Sequence, residues 1–449
     1  MQSDRPAVRP FHSAVAAFVA GTDTPREFLE RCIATIAALD ERVEAFAYLD
    51  LPGARRQADV STERYRENAP LSSIDGIPCG VKDIIETADM PTGMGSPLFA
   101  GYRSGRDAAS VVALREAGAV IVGKTVTTEF AATVPGKTHN PWDPARTPGG
   151  SSSGSAAAVG AGMLCAGLGT QVIGSILRPA SYCGCVGYKP TVGGINRGGS
   201  VDYHSQSTHG VLAATLEDAW MVAKEITARC GGDPGYPGIR GPMTPPPASL
   251  PGTLAFLQTS GWAVVTADAR AKLEDALMRL RAAGVTIADR TTHPLIEAIE
   301  TAILEARPIS TKINEWEFRW PLNTFARDMD RTKLSPIMQE RLLVAEAMTL
   351  EEYDLALQRR AAIRALYEQL AGSCAAAISL SAPDAAPLGL ASTGDPSFVV
   401  AGSLLGCPAI SLPLLETGGL PLGIQFLGFT NRDADLFAHA AGVRDVLRR

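Results

Sequence analysis

Gly, Ser and Ala dominate residues 139–200, and almost no bulky side chain interrupts them. By itself such a stretch most often marks a flexible polar loop. Glycine on both sides of a serine, however, lets the backbone turn sharply and brings N–H groups close to a reacting atom. Two runs within it are informative. One is Gly149-Gly150-Ser151-Ser152-Ser153-Gly154-Ser155, followed by three alanines. The other is Gly169-Thr170-Gln171-Val172-Ile173-Gly174-Ser175-Ile176-Leu177-Arg178-Pro179-Ala180. Between them Ala156 to Leu168, the longest apolar run, is too short to span a bilayer and reads as a tightly packed core helix.

The rest of the chain supplies a frame for this segment. Residues 11–68 read as two or three amphipathic helices. From about 74 to 130 the pattern is strand, loop, helix, strand. Gly76 to Val81 is short and apolar, Asp107 is placed to cap a helix through Ala117, Gly118 to end it, and Ala119 to Val122 to form a buried strand. The same rhythm recurs from Asp268 to Ile287, with Gly284 as the stop. This alternation predicts an α/β architecture with a largely covered sheet. Residues 231–252, rich in Gly and Pro, read as a linker. Residues 294–372 read as mostly helical, and 374–428 as short core strands. Strand-like segments lie on both sides of the linker, which favours one interwoven domain over 1–449. Its parts are an N-terminal helical segment (1–70), a core (70–230), a variable region (253–372) and a C-terminal part (373–449).

Composition excludes several classes. The formal net charge of −6 gives no basic balance for a nucleic-acid or anionic-membrane partner. No apolar stretch follows a basic start, so no secretory signal is expected. Eight cysteines are too sparse for a disulfide scaffold, and Cys183-Gly-Cys185 lacks the C-x-x-C spacing of redox and zinc motifs. Reduced thiols in a cytoplasmic protein are expected. None of the six histidines falls in a zinc-binding spacing, so no metal is expected.

Serine is a weak nucleophile at its own pKa and needs a base in reach. Lys82 qualifies if burial favours its neutral form, and the apolar segment before it makes burial of its stem reasonable. Taken singly, these signals have plain alternatives: a solvated lysine and a serine at an ordinary turn. Gly150-Ser151-Ser152-Ser153-Gly154 also fits G-x-S-x-G, with Ser152 as the nucleophile of an α/β-hydrolase. That motif needs a strand leading into Gly150, and Asn140 to Pro148 does not read as one. It also needs a downstream acid and histidine, and His293 and His439 sit in unremarkable contexts.

The combination of motifs resembles the amidase signature family. The resemblance rests on Gly76-Ile-Pro78 with Lys82-Asp83, on Gly149 to Ala156, and on Gly169 to Ala180. It extends through Tyr182 to Pro190, Thr393 to Phe398 and Gly419 to Gln425. It covers roughly 15–230 and 375–440, while 255–370 finds no match. It implies the fold of that family, a mixed central sheet covered by helices on both faces. It also implies an amidase that cleaves the C–N bond of a small substrate without cofactor. Ser175 would be the nucleophile. Ser151, on a cis peptide bond, would relay its proton to neutral Lys82. Backbone N–H groups of Val172, Ile173, Gly174 and Ser175 would form the oxyanion hole. The unmatched region would shape the pocket, and the N-terminal helices would support a homodimer.

Departures from the pattern refine the expectation. Ser153 replaces a common Gly. Ile173 replaces the first Gly of the usual G-G-S, so the backbone there must avoid positive φ, and its side chain narrows the site. Gln171 and Leu177 stand where an Asp and an Arg are common, and the arginine moves to Arg178. That form resembles the malonamidase-like subgroup, in which the displaced arginine binds a substrate carboxylate. Arg178, Gln171 and Ser152 are therefore the expected substrate-binding residues. A structural pairing of Arg178 with a nearby acid is the alternative. His204 and Gln206 read as part of a polar loop without a catalytic role, and Thr127 to Phe130 as a candidate pocket wall. Two other functions within the family are an amidase subunit of a tRNA-dependent amidotransferase and an inactive, amidase-like binding protein. The missing basic balance and the Gln171/Leu177 form weigh against the first, and the intact Lys82, Ser151, Ser175 set against the second.

Overall fold

The computed structural model describes residues 5–449. An eleven-stranded mixed sheet runs through it: β1 (Phe46–Leu49), β2 (Pro78–Lys82), β3 (Val120–Thr125), β4 (Ala166–Gln171), β5 (Val186–Lys189), β6 (Thr208–Ala213), β7 (Thr253–Phe256), β8 (Thr286–Ala288), β9 (Ala376–Leu380), β10 (Ala409–Thr417) and β11 (Leu420–Leu427). Their spatial order is β1-β3-β2-β4-β6-β5-β10-β11-β9-β7-β8. The first helices are α1 (Val15–Val19), α2 (Pro25–Val43), α3 (Leu51–Arg66), α4 (Ala109–Glu116), α5 (Ser153–Gly160), α6 (Leu177–Cys183) and α7 (Leu216–Cys230). After residues 231–252, which hold no regular element, come α8 (Ala267–Ala282), α9 (Pro294–Ile303), α10 (Ala306–Asp328), α11 (Pro336–Ala347), α12 (Leu350–Glu368), α13 (Val400–Leu405) and α14 (Asp433–Leu447). Helices cover both faces of the sheet, as expected.

β2 pairs in parallel with both β3 and β4, whereas β4 pairs antiparallel with β6. β7 and β9 are also parallel neighbours, and they join the sheet through β11. The strands on the two sides of residues 231–252 thus share one hydrogen-bonded ladder. β2, β3 and β4 are buried along their whole length, which suits their apolar composition.

Several local expectations are corrected. The first seventy residues hold a strand, β1, beside their helices; it pairs antiparallel with β3 and covers that edge. Asp107 does not cap α4. That helix starts at Ala109 without a side-chain cap, and the Asp107 carboxylate instead accepts from the Ala88 N–H and Arg115 Nε. The run Ala156 to Leu168 is not one helix. α5 ends at Gly160, Gly162 takes a left-handed φ of 71°, and the chain re-enters the sheet at Ala166. Only glycine adopts that φ at little cost.

α5 is built of small residues, all buried, and so lies close to the sheet and to α6. An added Cβ at Gly160 would stand 2.2 Å from the Cys183 carbonyl oxygen, a backbone atom with little freedom to move. Gly160→Ala is therefore expected to destabilise the fold by about 1–3 kcal/mol, read as a lower denaturant midpoint at unchanged slope.

Candidate active site

Parallel pairing of β2 and β4, with Val81 beside Leu168, sets Lys82 and Thr170 next to each other at the carboxyl ends of the two strands. Lys82 is the last residue of β2, fully buried, and its Nζ donates to Ser151 Oγ at 2.8 Å and to Thr170 Oγ1 at 2.8 Å. Burial pushes its pKa down to about 7, with the charge of Asp202 opposing the shift. Ser151 lies just before α5, and the Gly150–Ser151 peptide bond is cis. Ser175 lies between β4 and α6, and its Oγ has no hydrogen-bond partner among the described residues. Ser151, Thr170 and Ser175 line one narrow crevice, together with Asp202 and His204.

Ser175 also lines a cavity of about 520 Å³ that opens outward from the crevice. Its walls come from distant parts of the chain: Phe130 and Ala131 after β3, Ile173 and Arg178 around Ser175, Asn314 and Phe318 on α10. Phe130 and Ala131 both have positive φ, 49° and 57°, an uncommon conformation for residues with a side chain. Ile173 has none, so its β-branch fits the loop.

The loop 171–175 is pinned from outside. Ser207 Oγ donates to the Gln171 carbonyl at 3.2 Å, Gln206 Nε2 to that of Val172 at 2.9 Å, and Ser403 Oγ to that of Ile173 at 2.8 Å. With these carbonyls held, the N–H groups of Val172, Ile173, Gly174 and Ser175 are left without a backbone acceptor among the described residues. Unpaired, fixed N–H groups beside a serine suit a developing oxyanion.

Gln171 and Ser152 sit elsewhere than expected. Gln171 is fully buried; its Oε1 accepts from the N–H groups of Ile176 and Leu177 at 2.8 and 3.0 Å, and its Nε2 donates to Ser403. Ser152 is buried as well, with Oγ on the Thr170 backbone and its N–H on the Ser175 carbonyl. Both side chains stand outside the cavity lining and brace the loops that carry the two other serines. Arg178 does line the cavity. Its Nη2 donates to the Gly150 carbonyl at 2.8 Å and to Thr393 Oγ1 at 2.9 Å, and no carboxylate among the described residues pairs with it. Sequence reasoning missed Thr170, Asp202 and Thr393. Thr170 lies inside a recognisable motif, but only the strand register shows that it faces Lys82. Of the pocket-wall candidates, Phe130 lines the large cavity, and Thr128 does not.

A serine with free N–H groups around it, and a buried amine hydrogen-bonded to a second serine of the same crevice, are the parts an acyl-transfer enzyme needs. The chain belongs to the amidase family, whose model matches residues 27–437 and so spans the stretch 255–370 that the motifs leave unmatched. It is 32% identical over 456 residues to a glutamyl-tRNA(Gln) amidotransferase subunit of Chloroflexus aggregans, covering 93% of this chain and 92% of that protein. The corresponding subunit of Anaeromyxobacter sp. (strain K) is 31% identical, with coverage of 94% and 92%. Among solved structures, an amidase matches at a TM-score of 0.83 and 27% identity, covering 97% and 99% of the two chains. The native peptide amidase from Stenotrophomonas maltophilia matches at 0.78 and 27%, covering 96% of each. The protein is thus an enzyme acting on amide C–N bonds, with the amidase signature fold. No helix of the described residues is long and apolar enough to cross a membrane.

An amine with a pKa near 7 is a competent base at neutral pH, and its neutral fraction grows as pH rises through that value. Amide turnover, measured as kcat/KM, is expected to rise through about pH 7 and level off above it. Lys82→Arg keeps a positive charge but cannot deprotonate, and should cost about 10²–10⁴-fold across the whole pH range.

Proposed function

We propose that the protein hydrolyses the C–N bond of a small, carboxylate-bearing amide through an acyl-enzyme on Ser175. The observation that carries this is the fully buried Lys82 amine, 2.8 Å from the Oγ of Ser151, which lines one crevice with Ser175. Neutral Lys82 takes the Ser151 proton as Ser151 takes that of Ser175. Ser175 Oγ attacks the carbonyl carbon, and the oxyanion is held by the N–H groups of residues 172–175. Collapse expels the nitrogen, which receives a proton, and water then releases the acid. No step in this chemistry calls for a metal or cofactor.

The carboxylate preference rests on Arg178. Two neutral acceptors hold its Nη2, which fixes the guanidinium, while its Nη1 has no protein partner among the described residues and stands beside Gly174. Arg307 adds a second positive charge to the same cavity with no ion pair among the described residues, whereas Arg341 is paired with Glu315 at 2.9 Å. A planar carboxylate suits a fixed guanidinium. These features fit the malonamidase-like subgroup.

Full-length similarity to amidotransferase subunits favours a second role, as the amide-cleaving component of a larger assembly. The two roles separate in one assay of ammonia release from a panel of carboxylated, neutral and aryl amides by the isolated chain. The hydrolase is expected to turn over carboxylated amides fastest. Ser175→Ala should lose about 10⁴-fold or more, and Arg178→Ala should lose the preference for carboxylated amides while keeping turnover of neutral ones. An obligate component of an assembly leaves the panel untouched. Equal loss on all amides in Arg178→Ala would make that residue a structural brace.

A further inference from the structure

Helix α10 turns a polar stripe toward the large cavity. Arg307, Thr311, Asn314 and Phe318 all line it, at the spacing of successive turns on one helix face. Another wall carries Ser175 and Arg178. Glu315 is the one acid among the described residues lining the cavity, and Arg341 takes it at 2.9 Å. Arg178 and Arg307 are left over, and neither pairs with a carboxylate among the described residues. The two guanidiniums also act on each other. Burial lowers the Arg178 pKa, Tyr182 and Asp395 oppose this, and the charge of Arg307 adds to the lowering. Like charges facing one chamber repel, and a ligand bringing one negative charge for each removes that cost.

Asn314 is a second, independent observation. It is 3% exposed, its Oδ1 is buried without a hydrogen-bond partner, and its Nδ2 bonds to no protein atom among the described residues. A buried amide with neither end paired is rare in a folded protein unless a ligand or water satisfies it. Gln171 shows the contrast: equally hidden, it uses both ends of its amide on the scaffold. Asn314 lines the cavity instead.

We propose that the substrate carries two carboxylates, one held by Arg178 and the other by Arg307, with Asn314 hydrogen-bonding the same molecule. The proposal rests on the amide-hydrolase reading above and narrows its substrate class to small amides bearing a pair of acid groups. Each arginine is a single charge, which a carboxylate matches one for one. A cavity of about 520 Å³ has room for both groups and the amide that joins them. Arg307 is exposed and Arg178 buried, so salt weakens the Arg307 contact first.

The test compares malonamate with two diacids built on it, N-(carboxymethyl)malonamate and 2-carbamoylsuccinate, and with the uncharged size controls N-propylmalonamate and 2-propylmalonamate. Release of ammonia or amine gives kcat and KM, and calorimetry on Ser175→Ala gives Kd without turnover. At least one diacid is expected to exceed its propyl control about 10-fold or more in kcat/KM, through KM, with a matching difference in Kd that shrinks as salt rises. In Arg307→Gln that ratio should fall to about one. Arg307→Lys should keep part of it, and Arg307→Glu should invert it. Asn314→Leu should raise KM for the preferred diacid. Ratios near one in wild type for both diacids, or a ratio that survives in Arg307→Gln, would overturn the two-carboxylate site. An unchanged KM in Asn314→Leu would remove Asn314 from it. Arginine-dependent binding of a diacid to Ser175→Ala, with no turnover of any amide by wild type, would sink the hydrolase reading and leave the two-carboxylate site standing.

Discussion

Lys82 presents its amine to two neutral hydroxyls, with no carboxylate in hydrogen-bonding contact among the described residues, inside a fully buried site. The neighbouring strand holds a second buried lysine in a different setting. Lys124 on β3 is equally buried, but it lies 3.1 Å from Asp83 and donates to the Pro91 carbonyl and to Thr92. Burial lowers both amines, yet Lys124 has a direct counter-ion to offset the loss of water and Lys82 does not. The two buried amines thus differ by one carboxylate. Everything else at the site is arranged around leaving that amine unpaired: the parallel β2–β4 register, the small residues that let α5 approach, and the glycine-flanked turn that brings Ser151 to it.

The loop that carries Ser175 follows a complementary logic. A loop with three consecutive carbonyls turned toward a cavity would repel an oxyanion. Here Ser207, Gln206 and Ser403 hold those carbonyls on the far side, and Gln171 secures the start of α6 through the N–H groups of Ile176 and Leu177. The departure at Gln171 and Leu177 is intelligible in this light. A neutral amide makes two backbone contacts and one to Ser403, so no guanidinium is needed at position 177. Arg178 is free to face the other way.

Much of this is legible in the sequence because short-range chemistry leaves marks there. Glycine-flanked serines, and a lysine closing an apolar strand, are local patterns, and the alternation of helix, glycine and apolar strand points to the α/β class. Boundaries are less legible where one pattern serves two elements, as in Ala156 to Leu168: apolar periodicity does not reveal a left-handed turn at Gly162. β1 is hidden for the same reason, a four-residue strand between two helices. Long-range pairings leave no mark at all. That Thr170 faces Lys82 depends on strand register, and that Asp202 sits behind His204 depends on a loop held by Arg197. The motif pattern suggests a substrate role for Gln171 and Ser152. Adjacent residues on a strand or turn point in different directions, however, and these two point into the scaffold.

The two walls of the cavity lie on opposite sides of residues 231–252. Phe130, Ile173, Ser175 and Arg178 precede that stretch, whereas Asn314, Phe318, Ile337 and Arg341 on α10 and α11 follow it. The cavity is therefore assembled from separate lengths of chain that meet only through folding. A lineage can redraw α10 and α11, altering charge and girth of the chamber, while β2 and β4 keep their register in the sheet. Where Phe318 leans on the His204 ring the two inheritances touch, and drift there is least free.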